Sequence, residues 1–251
     1  MKNRLLVYCF TIGIVSVAHA QGPPITADKP IMLGAKRKII KTLTEIRITD
    51  QGTMSRIPFM GHYLPTSNSL VAVHIPLTLY DANAALGDIQ LLGKYQFYRK
   101  DHTARTFRIV AKTLQTLPTG PQLGVRGISL GQYESYQGIV AAYESTRYGI
   151  SNEFGFNLSP QSNMDELRYK LGFGLPLMKP SYPVNIVNLY FEYNSMWFVQ
   201  TNEYMLLYAQ GIQYAKDRLT IEAAIQVPFI QEVNKANQRK YSIFLGTRYV
   251  F

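Results

Sequence analysis

From Lys36 to Phe251 the chain alternates between apolar and polar residues with a period of two, in runs of about ten to fourteen residues separated by polar or Gly/Pro-containing turns. Twelve such runs are predicted as strands: 38–49, 53–64, 69–80, 87–99, 104–116, 131–145, 147–158, 166–177, 184–195, 204–215, 219–229 and 240–251. In the run 219–229, Leu219, Ile221, Ala223, Ile225, Val227 and Phe229 share one face, and Thr220, Glu222 and Gln226 share the other. Ile89, Leu91, Tyr95 and Phe97 oppose Asp88, Gln90, Lys94 and Gln96 in the same way. Helical periodicity is absent over any comparable length.

Runs of this length match the roughly nine to eleven residues with which a tilted strand crosses a bilayer, whereas strands of soluble domains average about five or six. One apolar face and one polar face per strand then predict an all-β fold, an antiparallel transmembrane β-barrel of about twelve strands formed by residues 37–251. Starting on the periplasmic side puts longer outer loops at 117–130, 159–165, 196–203 and 230–239, and tight inner turns at 145–147 and 216–218. The connection Asp50-Gln51-Gly52 is short although it falls on the outer side. Gly120 and Gly124, near Pro118 and Pro121, suit turns in the longest outer loop, which is expected to fold over the mouth.

The 18 Tyr and 12 Phe, against one Trp, fit strands with an amphipathic aromatic girdle. No run of eighteen apolar residues follows residue 20, which excludes helical membrane spans. Residues 1–20 combine a basic start (Lys2, Arg4), an apolar run from Leu5 to Val17 and the small-x-small site Ala18-His19-Ala20, the make-up of a cleavable signal peptide. The single cysteine, Cys9, would leave with it, so disulfides and thiol chemistry are excluded, and Gln21 at the new N-terminus disfavours lipid anchoring. With Lys2 and Arg4 removed, 24 basic residues face 16 acidic ones, a net charge of +8. Export argues against nucleic acid as the partner of that charge. Apart from Lys36-Arg37-Lys38 the basic residues are dispersed, which suits a solvated or lipopolysaccharide-facing surface. Residues 21–36, with Pro23, Pro24 and Pro30, are expected to form a periplasmic lead-in or a plug in the lumen.

Placing the polar face of each strand inward gives a lumen of mixed charge. Its candidate residues are Lys94, Arg108, Lys112, Glu144, Arg168, Lys170, Glu192, Glu222 and Arg248, with Lys41, Glu45, Arg47, Glu134 and Glu153 on the same faces. Such a set can form a salt-bridged, partly closed interior or the wall of a narrow pore. No catalytic, cofactor or metal site emerges: there is no Gly-x-Ser-x-Gly elbow, no His-x-x-x-His pair and no phosphate-binding glycine loop joined to a helix. Of His62, His74 and His102, none is followed within two residues by serine, as an outer-membrane lipid hydrolase would require. His74, on a polar face, is expected to be a hydrogen-bonded lumen residue.

The last strand carries Tyr241, Ile243, Leu245, Tyr249 and Phe251 on one face, with Thr247 interrupting and Ser242, Gly246 and Arg248 opposite. Tyr249 and the terminal Phe251 resemble the signal that the outer-membrane barrel assembly machinery recognises. Further motifs follow in order: Gly87-Asp88-Ile89-Gln90-Leu91 with Lys94-Tyr95-Gln96-Phe97, Lys112-Thr113-Leu114 leading to Leu117-Pro118-Thr119-Gly120, Gly211-Ile212-Gln213-Tyr214, Glu222 to Pro228, and Gly246 to Phe251. Together the chain resembles the outer-membrane transporter-like family named for the MetA pathway of phenol degradation. The resemblance implies an outer-membrane channel or transporter for small molecules, hydrophobic or aromatic ones among them, and the residues themselves suggest no cofactor. The alternatives from other classes are a structural or adhesive barrel acting through its outer loops, and a lipid-modifying enzyme.

Overall fold

The computed structural model describes residues 24–30, 32–80, 83–123, 128–161, 165–179, 183–235 and 237–251. The expected signal peptide and its cleavage site lie outside the described residues. Thirteen strands follow in order: β1 Lys38–Thr49, β2 Gly52–Tyr63, β3 Ser69–Tyr80, β4 Asn83–Leu86, β5 Gln90–His102, β6 Arg105–Thr116, β7 Glu134–Ser145, β8 Gly149–Leu158, β9 Glu166–Pro176, β10 Asn185–Phe198, β11 Glu203–Lys216, β12 Leu219–Glu232 and β13 Tyr241–Val250.

Twelve strands pair antiparallel in succession, β3 with β5 across the short β4, which pairs with β3 alone, and β1 pairs with β13 from Ile39↔Val250 to Ile48↔Tyr241, so the sheet closes on itself as a twelve-stranded barrel. Closure of β1 onto β13 meets the condition for a sheet to stand in hydrocarbon, with the backbone groups of the barrel strands paired to their neighbours. Phe251 extends the seam, its N–H donating to the Lys38 carbonyl at 2.9 Å while its ring meets Tyr249 edge-on at 4.8 Å.

The strand predicted over 87–99 differs in its first turn. Gly87, Asp88 and Ile89 form a break between β4, which pairs with β3 at Leu77–Tyr80, and β5, which pairs with β3 at Ser69–His74. Two outer connections are also tighter than expected, because β10 continues to Phe198 and β12 to Glu232. Residues 199–202, 233–235 and 237–240 remain as connections.

Burial is inverted relative to a soluble domain. Phe59, Phe154, Ile225, Phe229 and Leu245 are exposed on the outside, Phe229 at 72%, whereas Glu153, Glu166, Glu192 and Glu222 are buried inside at 2% or less. Outward charges on the strands sit at their ends, Lys38, Lys100, Arg105 and Lys216 at the periplasmic ends and Glu232 at the outer end of β12. An apolar belt around a charged interior is the arrangement a membrane-spanning barrel requires.

Candidate functional site: the filled lumen

The inward faces of β5, β6, β7, β8, β9 and β10 supply the charged side chains near the middle of the barrel, because alternation sends every second residue of each strand inward. All nine sequence-predicted lumen residues lie on inward faces. Five of them converge on residues 25–29 of the N-terminal segment. Glu192 accepts the backbone N–H groups of Ile25 at 2.6 Å, Thr26 at 2.7 Å and Ala27 at 2.7 Å, and also the Thr26 hydroxyl. Asp28 is paired with Lys94 and, at 2.9 Å, with Lys112. Lys29 reaches Glu144 at 3.3 Å and stands over the Tyr190 ring at 5.8 Å. Lys170 donates to the Thr26 carbonyl at 3.3 Å.

The wall is shaped for this segment. A side-chain carbon at Gly211 would meet Ile25 Cδ1 at 2.4 Å, and one at Gly172 would meet Pro24 Cγ at 3.1 Å. Both glycines face inward, so their missing side chains are the space the segment occupies. Ile25 packs with Tyr190, Ala224 and Phe244, and nearer the periplasm Met32 packs with Ile39, Leu64, Leu70, Ala72, Leu92 and Val110. The periplasmic half of the lumen is thus filled by apolar contacts below an ionic clamp.

The other four predicted residues pair elsewhere. Arg168 pairs with Glu166, Glu222 with Lys41 at 2.9 Å, Arg248 with the Thr220 hydroxyl at 3.1 Å, and Arg108 with Asp101 at 4.0 Å. Glu153 accepts from Lys112 at 2.8 Å and from the buried Tyr136 hydroxyl at 2.7 Å. His62 and His74 also face inward with rings 5.5 Å apart, and the buried Nε2 atom of each has no hydrogen-bond partner among the described residues. The expected hydrogen bond at His74 is therefore not made through that atom.

Several residues of the lumen were not anticipated. Asp28 and Lys29 lie in a segment without periodicity, Arg239 lies in the β12–β13 turn, and Arg56 sits among Met54, Pro58 and Met60 on a face that does not read as polar. Asp88 is buried at the β4–β5 break and gathers the longest outer loop. Its carboxylate accepts from Gly120 N at 2.9 Å, Leu130 N at 2.8 Å, Gly131 N at 3.0 Å and Ser129 Oγ at 3.2 Å. Ile128 and Leu130 are buried, so this part of the loop folds into the mouth. Between this loop and the N-terminal segment lies a cavity of about 310 Å³ whose lining includes Ile25, Leu114, Ile128, Phe198 and Phe244 together with Arg56, Arg168, Lys170 and Arg239.

Burial alone would raise the Asp28 carboxyl, but Lys112 and Lys94 outweigh it and hold the group well below the ordinary carboxylate range. A carboxyl lowered in this way stabilises the docked segment above its free pKa of about 3.9, and the contribution is lost as pH falls through the lower docked value. The segment is therefore expected to stay docked from neutral pH down to about pH 4. An Ala27→Cys variant checks this, since Cys9 is the only native cysteine. Its thiol should gain no accessibility to a polar reagent between pH 7 and pH 5, and release in that window would show that another group controls docking.

No protein-family model matches the sequence, and no curated protein does. Solved structures are similar in fold. The KdgM porin, determined alone and in complex with disordered oligogalacturonate, superimposes with a TM-score of 0.57 at 7% identity, covering 85% of this chain and 99% of the porin. An outer-membrane channel from Pseudomonas putida F1 superimposes with a TM-score of 0.54 at 12% identity, covering 89% of this chain and 97% of that one. The chain has the closed barrel fold of outer-membrane channels, and its apolar belt and charged interior place it in that membrane.

Proposed function

We propose that the protein is an outer-membrane channel or transporter for small molecules, hydrophobic or aromatic ones among them, held shut by its own N-terminal segment. The observation that carries this is the docking of residues 25–29 onto Glu192, Lys94, Lys112 and Glu144 inside a barrel that would otherwise be hollow. Eight strands leave an interior that side chains just fill, and sixteen or more leave an open aqueous pore, so twelve leave a lumen that one chain segment can stop. The motif resemblance to the family of the MetA pathway supports small hydrophobic or aromatic permeants. A structural or adhesive barrel is the weaker alternative, because Gly120 and Leu130 of the longest outer loop are turned inward onto Asp88. No catalytic role is assigned; His62 and His74 face the lumen, and His102 stands outward at the periplasmic end of β5.

The test is conductance in planar bilayers with the purified, heat-modifiable protein. Discrete openings that become larger or more frequent when residues 24–35 are removed support a channel. A truncated barrel that remains folded and never conducts overturns the proposal.

Tyr249 and Phe251 are proposed as the contact for the barrel assembly machinery, with lipid and lipopolysaccharide as the surrounding partners. Deleting Phe251 also removes its hydrogen bond to the seam at Lys38. The heat-modifiable fraction recovered in the outer membrane should fall severalfold, and an unchanged yield would remove this role.

A further inference from the structure

Three guanidinium groups, from Arg47, Arg56 and Arg239, face the outer half of the lumen around one carboxylate, Glu45. Glu45 is 2.9 Å from Arg47 and 3.5 Å from Arg239, and it also accepts from Ser242 at 3.3 Å. The other acids lining the cavity are engaged elsewhere. Asp88 holds the inward loop, and Glu134 accepts from Asn157 and Ser159, each at 2.8 Å. Arg56 is left with Gln90 at 2.8 Å and no carboxylate within 4 Å among the described residues. Arg239 is 9% exposed, makes only long contacts through Nη1, and its buried Nε has no hydrogen-bond partner.

Buried cations with too few counter-charges are costly, and an anion that satisfies them gains charge-assisted hydrogen bonds which a guanidinium can offer in pairs. The apolar part of the cavity lining, including Ile128, Phe198 and Phe244, offers nothing to a fully hydrated inorganic ion. We infer that this outer cavity is a binding site for small amphipathic organic anions, with Arg56 and Arg239 holding the carboxylate and the apolar wall holding the hydrocarbon or aromatic body. Its volume of about 310 Å³ is at the lower limit of ligand pockets, which restricts it to small molecules. The inference rests on the channel reading for its physiological meaning, but binding itself does not require conduction.

The experiment is calorimetric titration of the full, detergent-purified chain with benzoate and with its neutral counterpart benzyl alcohol. Benzoate should bind about tenfold or more tightly than benzyl alcohol, in line with the contribution of a charge-assisted pair. Arg56→Gln should remove most of that preference and leave benzyl alcohol unchanged, Arg56→Lys should keep part of it, and Arg108→Gln, near the periplasmic mouth, should have no effect. Equal binding of benzoate and benzyl alcohol by the unmodified protein overturns the inference, and so does binding of phosphate as tight as that of benzoate. The comparison on the unmodified protein stands even if a variant fails to fold. Benzoate binding by a barrel that never conducts would sink the channel proposal alone, and conduction without benzoate preference would sink only the anion site.

Discussion

Glu192→Ala is expected to convert a closed barrel into a conducting one. The carboxylate accepts three backbone N–H groups and one hydroxyl from Ile25, Thr26 and Ala27. Hydrogen bonds to a charged group contribute about 1.5–3 kcal/mol each, so losing the equivalent of only two weakens docking by about 3 kcal/mol or more. That shifts the docked-to-free ratio by about a hundredfold. Asp28 then comes away from Lys94 and Lys112, because the segment carrying it is no longer held at its neck. Single-channel recording should show long openings in Glu192→Ala that match those of the protein lacking residues 24–35, against brief or rare openings in the unmodified protein. Equal conductance in all three would mean that the segment does not control the lumen. Glu192→Gln should lie between them, since it retains one acceptor oxygen without the charge.

Asp88→Ala is expected to release the inward loop without disturbing the barrel. Four donors, three of them backbone N–H groups of the loop, lose a shared charged acceptor. Buried donors left unpaired cost about 1–3 kcal/mol each, and the loop can relieve that cost by moving into water. Protease cleavage between residues 117 and 133 of the folded protein should rise by at least tenfold, which is the effect of about 1.4 kcal/mol on the open fraction. The heat-modifiable gel shift should persist. Unchanged cleavage would show that the burial of Ile128 and Leu130 and the hydrogen bonds of Thr119 and Ser129 to Gly87, Ile89 and Pro121 suffice to hold the loop.

The barrel was legible in the sequence because the period-two pattern is local and a one-residue slip would turn every apolar face into the lumen. The same rule placed Lys94, Lys112, Glu144, Lys170 and Glu192 inside. What they touch was not legible. Lys112 on β6 and Glu153 on β8 meet across β7, and Asp28 reaches Lys94 from 66 positions away, so these pairings depend on register and closure, not on spacing. Arg56 was hidden because its inward neighbours Met54, Pro58 and Met60 make that face of β2 look apolar. Asp88 did carry a signal, lying beside Gly87 where the predicted strand breaks, but its four donors come from a loop whose fold no periodicity describes.

The docked residues 25–29 are joined to the first residue of β1, Lys38, by a short stretch of chain. The segment is therefore a tethered ligand. A short tether holds it near its own binding site at an effective concentration of the order of millimolar, and rebinding is a unimolecular event that does not slow on dilution. A peptide with the sequence of residues 24–30 added to the medium would compete poorly with the attached copy until it too reached millimolar levels. It should nevertheless block the truncated barrel, and only when added from the periplasmic side, where β1 begins and β13 ends.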